Sequence, residues 1–334
     1  MINIQVTKDN NVIMEWYDKN NKYSKKLLRA EYLYPSLKKN KRKKTYKTLT
    51  DIYTNKKYYI YKGRGGMTPN LTVPYKVRTT QEGLRLYDYA LAIKLMYFQD
   101  IIDKGLSNPH SITYDIETTS LEPSEGFITS IAWIDNQDGT EHTVLNEGSE
   151  EKILTEFINY LKKHKILSLI GFNSAKFDNR YLGYRCRQHG IYYNVNNSCN
   201  IDVMKGANKL FIFGSLASIG KQLNVEEEKL DLGSENPISL YEKGKYDELL
   251  YYNLQDVRAT NDIMKTLNII DFYKALWELS WTDFNDLPFN SVLNNNLANK
   301  ELWENDLMVS KCYDSALGRF SGGFNYIING GDNG

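Results

Sequence analysis

The stretch SITYDIET, residues 111–118, begins the part of the chain that decides the fold. Its apolar residues predict a buried strand. Asp115 and Glu117 stand two apart, so a strand would place both carboxylates on one face. Two more apolar stretches follow after short loops, FITSIAWI at 127–134 and HTVL at 142–145. Three strands joined by short loops predict an antiparallel start to a sheet.

Helical patterns then alternate with one more strand. Ser149 is placed to cap a helix that ends in a basic turn at 162–165, and the apolar residues 166–172 predict a buried strand. Further helices are predicted over 178–189 and 246–267. Strands followed by helices that pack on the sheet predict an α/β fold.

The first third of the chain has a different pattern. Residues 2–6 and 12–17 predict the strands of a hairpin, and an amphipathic helix is predicted over 80–104. The stretch GRGG at 63–66 predicts a turn, because it lacks the context of a phosphate-binding loop. The chain-breaking SNP at 107–109 marks a boundary, so a smaller α+β N-terminal domain is predicted before the α/β domain.

Charge is divided unevenly between these two parts. Residues 1–110 carry 22 basic and 9 acidic side chains, a balance of +13, whereas residues 111–334 carry 20 and 32, a balance of −12. The basic part contains the run KKNKRKKTYK at 38–47 and, after it, Tyr53, Tyr58, Tyr59 and Tyr61. Cations interleaved with aromatic rings can neutralise phosphates and stack on bases, which predicts nucleic-acid contact. A solvated loop explains the same run equally well.

Composition argues against other classes of protein. No apolar run approaches the roughly 20 residues of a membrane span, and the opening MINIQ lacks a charged-then-apolar export pattern. We therefore expect a cytoplasmic protein that is not secreted and has no membrane partner. Cys186, Cys199 and Cys312 are far apart and form no C-x-x-C pair, so neither a zinc site nor a disulfide framework is predicted.

Three short motifs supply acidic or phenolic groups. Asp115 and Glu117 form the first, and Asp178 ends the second, NSAKFD at 173–178, where a helix N-terminus would favour its charged form. The third pairs Tyr252 with Asp256, which share a helix face at i and i+4 and could hold a water between them and a metal. Taken singly, the motifs are explained as a surface carboxylate pair, a helix cap and a core tyrosine.

Taken together, the four carboxylates predict a metal-dependent enzyme. They occur in order on suitable elements, and hard oxygen ligands of this kind suit Mg²⁺ or Mn²⁺. Two such ions can activate a water and stabilise a leaving 3′ oxygen during phosphodiester hydrolysis.

The same motifs resemble those of a known family. YDIET at 114–118, GFN with FD at 171–178, and Tyr252 with Asp256 are similar to the three exonuclease motifs of family B DNA polymerases, in the DEDD class with tyrosine. The resemblance implies a 3′→5′ proofreading exonuclease with a ribonuclease H-like fold, a mixed central sheet flanked by helices, and two divalent cations. The metal ligands that it implies are Asp115, Glu117, Asp178 and Asp256.

The resemblance also implies roles for three further residues. Tyr252 would orient the attacking water, while Asn173 and Phe177 would contact the primer 3′ end. The expected partner is therefore single-stranded DNA or a primer terminus. His110 and Asp115 have the spacing found in the third motif of histidine variants of this fold, but at the wrong end of the domain, so we interpret it as coincidence.

The resemblance extends over essentially the whole chain and is closest to polymerases of the T-even bacteriophage type, which implies a host cytoplasmic location. EYLYP at 31–35 looks like part of their N-terminal domain, and LPFNS at 287–291 and FSGGF at 320–324 resemble the approach to the polymerase palm. The palm sequences D-T-D-S and S-L-Y-P-S do not follow. The resemblance predicts a truncated or split polymerase, with palm, fingers and thumb on another polypeptide if split.

Three domains are predicted on this basis: a basic N-terminal domain at 1–108, the exonuclease domain at 109–275, and a segment at 276–334 that leads toward the missing palm. The short, polar stretch 178–202 leaves little room for the strand-separating hairpin of the family. Two alternatives stay open. The chain could be a nucleic-acid-binding module, including an RNA contact by the N-terminal domain, with a mainly structural exonuclease-like domain, or it could be a stand-alone RNA exonuclease.

Overall fold

The computed structural model describes residues 2–6, 11–29, 31–64, 89–194 and 198–309. Two small sheets form the N-terminal part. The first is antiparallel, in the order β1-β2-β3, and its strands are β1 (Ile2–Val6), β2 (Asn11–Tyr17) and β3 (Tyr23–Arg29). The predicted hairpin is thus confirmed and carries a third strand.

The second sheet has the order β12-β5-β6-β4 and includes a strand from the far end of the described chain. Its strands are β4 (Glu31–Ser36), β5 (Lys47–Asp51), β6 (Lys57–Arg64) and β12 (Leu307–Met308). The turn predicted at 63–66 is wrong for its first half, because Gly63 and Arg64 continue β6 and pair with Tyr32 and Glu31. Pairing with β4 gives their backbone groups hydrogen-bond partners in the sheet. Residues 65 and 66 lie outside the described chain.

One helix, α1 (Tyr89–Ile102), covers the N-terminal sheets. It corresponds to the C-terminal part of the helix predicted over 80–104, whose earlier residues lie outside the described chain. Its buried residues Leu95 and Phe98 join a core that also contains Val12, Leu49 and Trp277. The N-terminal part therefore packs directly against helices that follow the α/β region.

The α/β region contains a five-stranded mixed sheet in the order β11-β10-β7-β8-β9. Its strands are β7 (Ser111–Thr118), β8 (Ile128–Asp135), β9 (Glu141–Leu145), β10 (Ser168–Gly171) and β11 (Cys199–Asp202). The first three are antiparallel, as predicted, whereas β10 pairs parallel to both β7 and β11. The expected mixed central sheet is confirmed.

Helices cover both faces of this sheet. In chain order they are α2 (Glu150–Lys163), α3 (Asp178–Gln188), α4 (Val203–Lys209), α5 (Leu216–Leu223), α6 (Pro237–Glu242), α7 (Tyr246–Thr266), α8 (Ile269–Ser280) and α9 (Asn290–Glu304). The predicted cap is confirmed, since the Ser149 side chain accepts the Lys152 backbone N–H. The predicted helices at 178–189 and 246–267 agree with α3 and α7 to within one residue at each end.

Successive side chains of β7 point to opposite faces of the sheet, so the two faces carry different residues. Ile112, Tyr114 and Ile116 face a core with Phe157 of α2 and Tyr181 of α3. The intervening residues face α7, as the 3.0 Å hydrogen bond from Thr113 Oγ1 to Asn261 Oδ1 shows. A strand with period two therefore presents its carboxylates to α7.

The last described segment returns to the N-terminal part. A short 3₁₀ helix (Phe284–Asp286) precedes α9, and β12 then pairs parallel with β5. The Trp303 ring stacks on Tyr46 with centroids 6.2 Å apart. Of the two stretches predicted to approach a palm, LPFNS at 287–291 leads into α9, whereas FSGGF at 320–324 lies outside the described chain with the rest of residues 310–334.

The described cysteines, Cys186 and Cys199, are buried free thiols, and Cys312 is outside the described chain. Within the described ranges no helix is both long and apolar enough to span a membrane.

Candidate metal centre

Strand β7 and helix α7 bring three of the predicted acids together. One carboxylate oxygen each from Asp115, Glu117 and Asp256 lies within 4.8 Å of the other two. Asp115 and Glu117 come from the α7-facing side of β7, and Asp256 lies in the middle of α7. Residues about 140 positions apart in the sequence thus meet at one point of the fold.

Asp178 lies beside this group but outside the 4.8 Å set. It is the first residue of α3, is only 3% exposed, and accepts a 3.3 Å hydrogen bond on Oδ1 from the Ile116 backbone N–H. Ile116 separates Asp115 from Glu117 on β7, so this bond holds Asp178 against the same strand. Its charge also acts on Asp115.

Crowding of carboxylates makes ionisation costly. Burial, with the negative charges of Asp178 and Glu117, raises the pKa of Asp115 well above its ordinary value. Burial and then Asp256 raise the pKa of Glu117 to about 8, and burial raises the pKa of Asp178 to about 7. Groups that share one site and lose hydration need a cation to stay charged at neutral pH.

The donors present fit a hard divalent cation. All are carboxylate oxygens, the ligands that Mg²⁺ and Mn²⁺ prefer. Asp256 Oδ1 is buried and has no hydrogen-bond partner among the described residues, although buried acceptors are normally satisfied. An ion at this point would satisfy it.

Lys229 is a member of the site that the sequence did not indicate. Its Nζ forms an ion pair with Asp256 Oδ2 and lies 4.8 Å from the centroid of the Tyr252 ring. Burial alone would lower the pKa of Lys229, but Asp256 outweighs it and raises the pKa. Lys229 comes from the loop between α5 and α6, where no periodic pattern distinguishes a site residue from a solvated lysine.

Tyr252 lies one helical turn before Asp256 and is 8% exposed. Burial, followed by the Asp256 charge, raises the pKa of its phenol, so the hydroxyl remains protonated at neutral pH. A protonated phenol can donate one hydrogen bond and accept another.

The loop before α3 carries the predicted substrate contacts. Asn173 has a left-handed backbone, with φ of 56°, and its N–H donates to Asp202 Oδ1 at 3.1 Å. Asn173 Oδ1 is buried without a partner among the described residues. Phe177 is half-buried and its ring packs 5.6 Å from that of Tyr181. Asp202, which orients this loop, was not predicted, although its position between a strand and a helix is a capping signal.

His110 takes no part in the acidic group. Its Nε2 lies 2.7 Å from Asp135 Oδ1, and Asp135 also accepts from the Tyr160 hydroxyl at 2.8 Å. The ring is thus used in a buried polar contact away from Asp115, consistent with a coincidental spacing.

Comparison with known proteins supports the fold of the α/β region. Residues 112–268 match the RNase H superfamily, which agrees with the mixed sheet, the flanking helices and the expected ribonuclease H-like fold. Across nearly the whole chain, the structure is similar to the family B DNA polymerase from the hyperthermophilic archaeon Pyrobaculum calidifontis.

That similarity has a TM-score of 0.65 at 13% sequence identity and covers 92% of this chain and 50% of the polymerase. The chain therefore spans about half the length of that protein. At 13% sequence identity, this similarity shows a shared fold and nothing further. No curated protein sequence matches the chain.

Proposed function

We propose that the chain is the N-terminal and exonuclease portion of a family B DNA polymerase and that it removes nucleotides from the 3′ end of single-stranded DNA. The observation that carries the proposal is the convergence of Asp115, Glu117 and Asp256 on an RNase H-like sheet. The fold similarity to a family B polymerase, which continues through the N-terminal part, supports the assignment to a polymerase. The particular likeness to T-even phage polymerases rests on the sequence motifs.

In this proposal Asp115, Glu117, Asp178 and Asp256 hold two Mg²⁺ or Mn²⁺ ions. Bound ions of this kind lower the pKa of a water and stabilise the leaving 3′ oxygen. The Ile116 N–H fixes one oxygen of Asp178 and leaves the other for a cation. Lys229 offsets part of the negative charge when fewer cations are bound.

The remaining side chains position the substrate. The Tyr252 phenol orients the attacking water through its hydrogen bonds, one turn from Asp256. The unpartnered amide oxygen of Asn173 accepts from the terminal nucleotide, and Phe177 packs against its base or sugar. These contacts hold the last phosphodiester beside the carboxylates and supply proximity, which is a large part of catalysis.

The direct test uses a single strand labelled at its 5′ end. With Mg²⁺ we expect a ladder of products shortened one nucleotide at a time from the 3′ end, and no products with a chelator. An RNA strand of the same sequence tests the alternative of an RNA exonuclease, since the 2′-OH is the handle that distinguishes the two. Degradation of RNA alone would replace the proposed substrate, and degradation of neither strand would refute the proposal.

A second function, nucleic-acid binding by the N-terminal part, is favoured by how lysines and rings are arranged there. Four lysines lie 4.8–6.0 Å from tyrosine ring centroids: Lys26 at Tyr97, Lys39 at Tyr59, Lys43 at Tyr34, and Lys62 at Tyr46. Lys41, Arg42 and Lys44 are exposed in the loop between β4 and β5 and form no ion pair within the described ranges. Cations and aromatic rings on one surface are what a phosphate backbone and its bases require.

We expect that changing Lys41, Arg42 and Lys44 together to glutamine weakens binding of a single strand and lowers the slope of log Kd against log salt by about 2, because each lost phosphate contact removes about 0.7. Fluorescence anisotropy over a salt series measures this slope. The matched control carries glutamine at Lys152, Lys163 and Arg187, which are exposed on α2 and α3. Equal slopes in the two variants would rule out the loop as a binding site.

A further inference from the structure

An unusual pair of exposed phenylalanines lies between α4 and α5. Phe211 is 84% exposed and Phe213 is 60% exposed. Hydrogen bonds fix the backbone of the loop that carries them. The Ile212 N–H donates to the Ala207 carbonyl at 3.0 Å, and Gln222 Nε2 donates to the Phe213 carbonyl at 3.2 Å. The two rings are therefore held out into solvent by a fixed backbone.

Phe211 also occupies a position that favours glycine. It follows the C-cap Leu210, has φ of 62°, and its N–H bonds to the Asn208 carbonyl, while the next residue bonds back to Ala207. This is a Schellman ending, in which the left-handed residue is usually Gly or Asn. A bulky side chain there costs stability, and an exposed ring regains none of it by burial. Folding alone does not account for Phe211.

The surroundings of the pair are basic and aromatic. Lys205 and Lys209 share one face of α4. Neither is in an ion pair of 4.0 Å or less among the described residues, although the Lys205 charge acts on Asp202. Lys205 Nζ lies 5.8 Å from the ring centroid of Phe289, which is 51% exposed, and Lys209 Nζ donates to Asn290 Oδ1 at 2.7 Å. Burial lowers the pKa of Lys209, as expected for an ammonium group that has no anion beside it.

This patch is connected to the candidate metal centre. Asp202 caps α4 through the Lys205 N–H and, with the same carboxylate, accepts the N–H groups of Asn173 and Ala175. Helix α4 thus begins at the loop that carries the proposed contacts to the terminal nucleotide. Its seven residues extend about 10 Å, so the phenylalanines lie within a few nucleotides of that loop.

We propose that Lys205, Lys209, Phe211, Phe213 and Phe289 form a binding surface for the single strand that leads into the metal centre. Phosphates would pair with the two ammonium groups, and bases would stack on the phenyl rings. This stacking tolerates any sequence, because every base has a π-face. The strand direction rests on the proposed function, whereas binding itself does not require hydrolysis.

The test compares two strands in a chelating buffer, where no hydrolysis occurs. One is a deoxythymidylate strand of about 12 nucleotides, and the other has the same backbone with abasic sites throughout. With Phe211→Gly and Phe213→Ser combined, we expect the Kd for the thymidylate strand to rise at least about tenfold and that for the abasic strand to change less than about twofold. Equal changes for both strands, or no change for either, would overturn the proposal.

Folding is checked separately. Glycine suits the left-handed position, so Phe211→Gly should keep or raise Tm. If Phe211→Gly lowers Tm, the Kd values of the two strands are compared for the single variant Phe213→Ser instead. Leu279→Ala removes an exposed apolar side chain of α8 and should alter neither Kd. Lys205→Gln with Lys209→Gln should lower the salt slope by about 1.4 for both strands, because it removes two phosphate contacts.

The binding data separate this proposal from the proposed function. A natural chain that binds but does not degrade DNA, with the expected loss in the phenylalanine variant, supports the surface and refutes the exonuclease. If the natural chain degrades DNA and the phenylalanine variant has an unchanged Kd, the exonuclease is supported and the binding surface is refuted.

Discussion

Replacing Asp115 and Glu117 together with alanine is expected to lower Mg²⁺-dependent degradation of single-stranded DNA by at least about 1,000-fold. The change removes two of the three carboxylates that lie within 4.8 Å of one another, so too few donors remain to hold a cation beside Asp256. Release of nucleotides from a labelled strand measures the loss. The control replaces Glu125 and Glu147, which are exposed carboxylates of the same domain, and should retain full activity.

The same variant has an opposite effect on stability. The pKa of Glu117 is raised to about 8, so the folded state binds a proton more tightly than the unfolded state does. The natural chain without metal therefore loses stability as pH rises from about 4 to about 8. The double alanine variant should lose less over this range, because of these raised carboxyl groups only Asp178 and Asp256 remain. At pH 8 in chelator its Tm should equal or exceed that of the natural chain, whereas Mn²⁺ should raise the Tm of the natural chain alone. If the variant kept wild-type activity, or if Mn²⁺ raised its Tm as much as that of the natural chain, Asp115 and Glu117 would not be metal ligands.

Replacing Glu150 with alanine is expected to destabilise the fold by about 3–5 kcal/mol, because it leaves a largely buried guanidinium without its anion. The carboxylate accepts from Arg185 Nε at 2.9 Å, from His189 Nε2 at 2.7 Å and from the Ile128 N–H at 2.8 Å. It therefore joins α2 to α3 and to the start of β8. Denaturant unfolding measures the loss, and Glu122→Ala, which breaks an exposed pair with Arg180, should cost less than about 1 kcal/mol.

The effect of Glu150 depends on pH. Burial alone would raise the pKa of Glu150, but hydrogen bonds from Arg185, Ile128 and His189 outweigh it and hold the pKa below its ordinary value. Its contribution is complete above the unfolded pKa of about 4.3 and is lost as pH falls through the folded pKa. The difference in stability between the natural chain and Glu150→Gln should shrink below about pH 4. Glu150→Leu with Arg185→Met should recover much of the loss. If the stability difference between the natural chain and Glu150→Gln grew below about pH 4, the ionised Glu150 carboxylate would not be what stabilises these contacts.

Much of the sheet and its helices could be predicted because each signal lies within a few residues. Apolar runs indicated β7, β8 and β10, and the Ser149 cap indicated the start of α2. The turn predicted from Gly63 was wrong because glycine permits a turn without requiring one, and here Gly63 and Arg64 pair with β4. Pairing with β12, more than 200 residues away, has no local signal at all.

The sequence by itself determined which side chains could act together locally. A period of two puts Asp115 and Glu117 on one side of a strand, and a spacing of four puts Tyr252 and Asp256 on one side of a helix. These relations follow from backbone geometry between near neighbours, so they hold wherever the element lies.

Only the tertiary structure decided which of these faces meet. Packing of α7 across β7 brings Asp256 to Asp115 and Glu117, and an aperiodic loop delivers Lys229 to the same point. The Asp178 carboxylate accepts a hydrogen bond from the Ile116 N–H of β7. It lies outside the set formed by Asp115, Glu117 and Asp256. Such contacts depend on how whole elements bury their apolar surfaces against one another, and no spacing in the sequence encodes that distance.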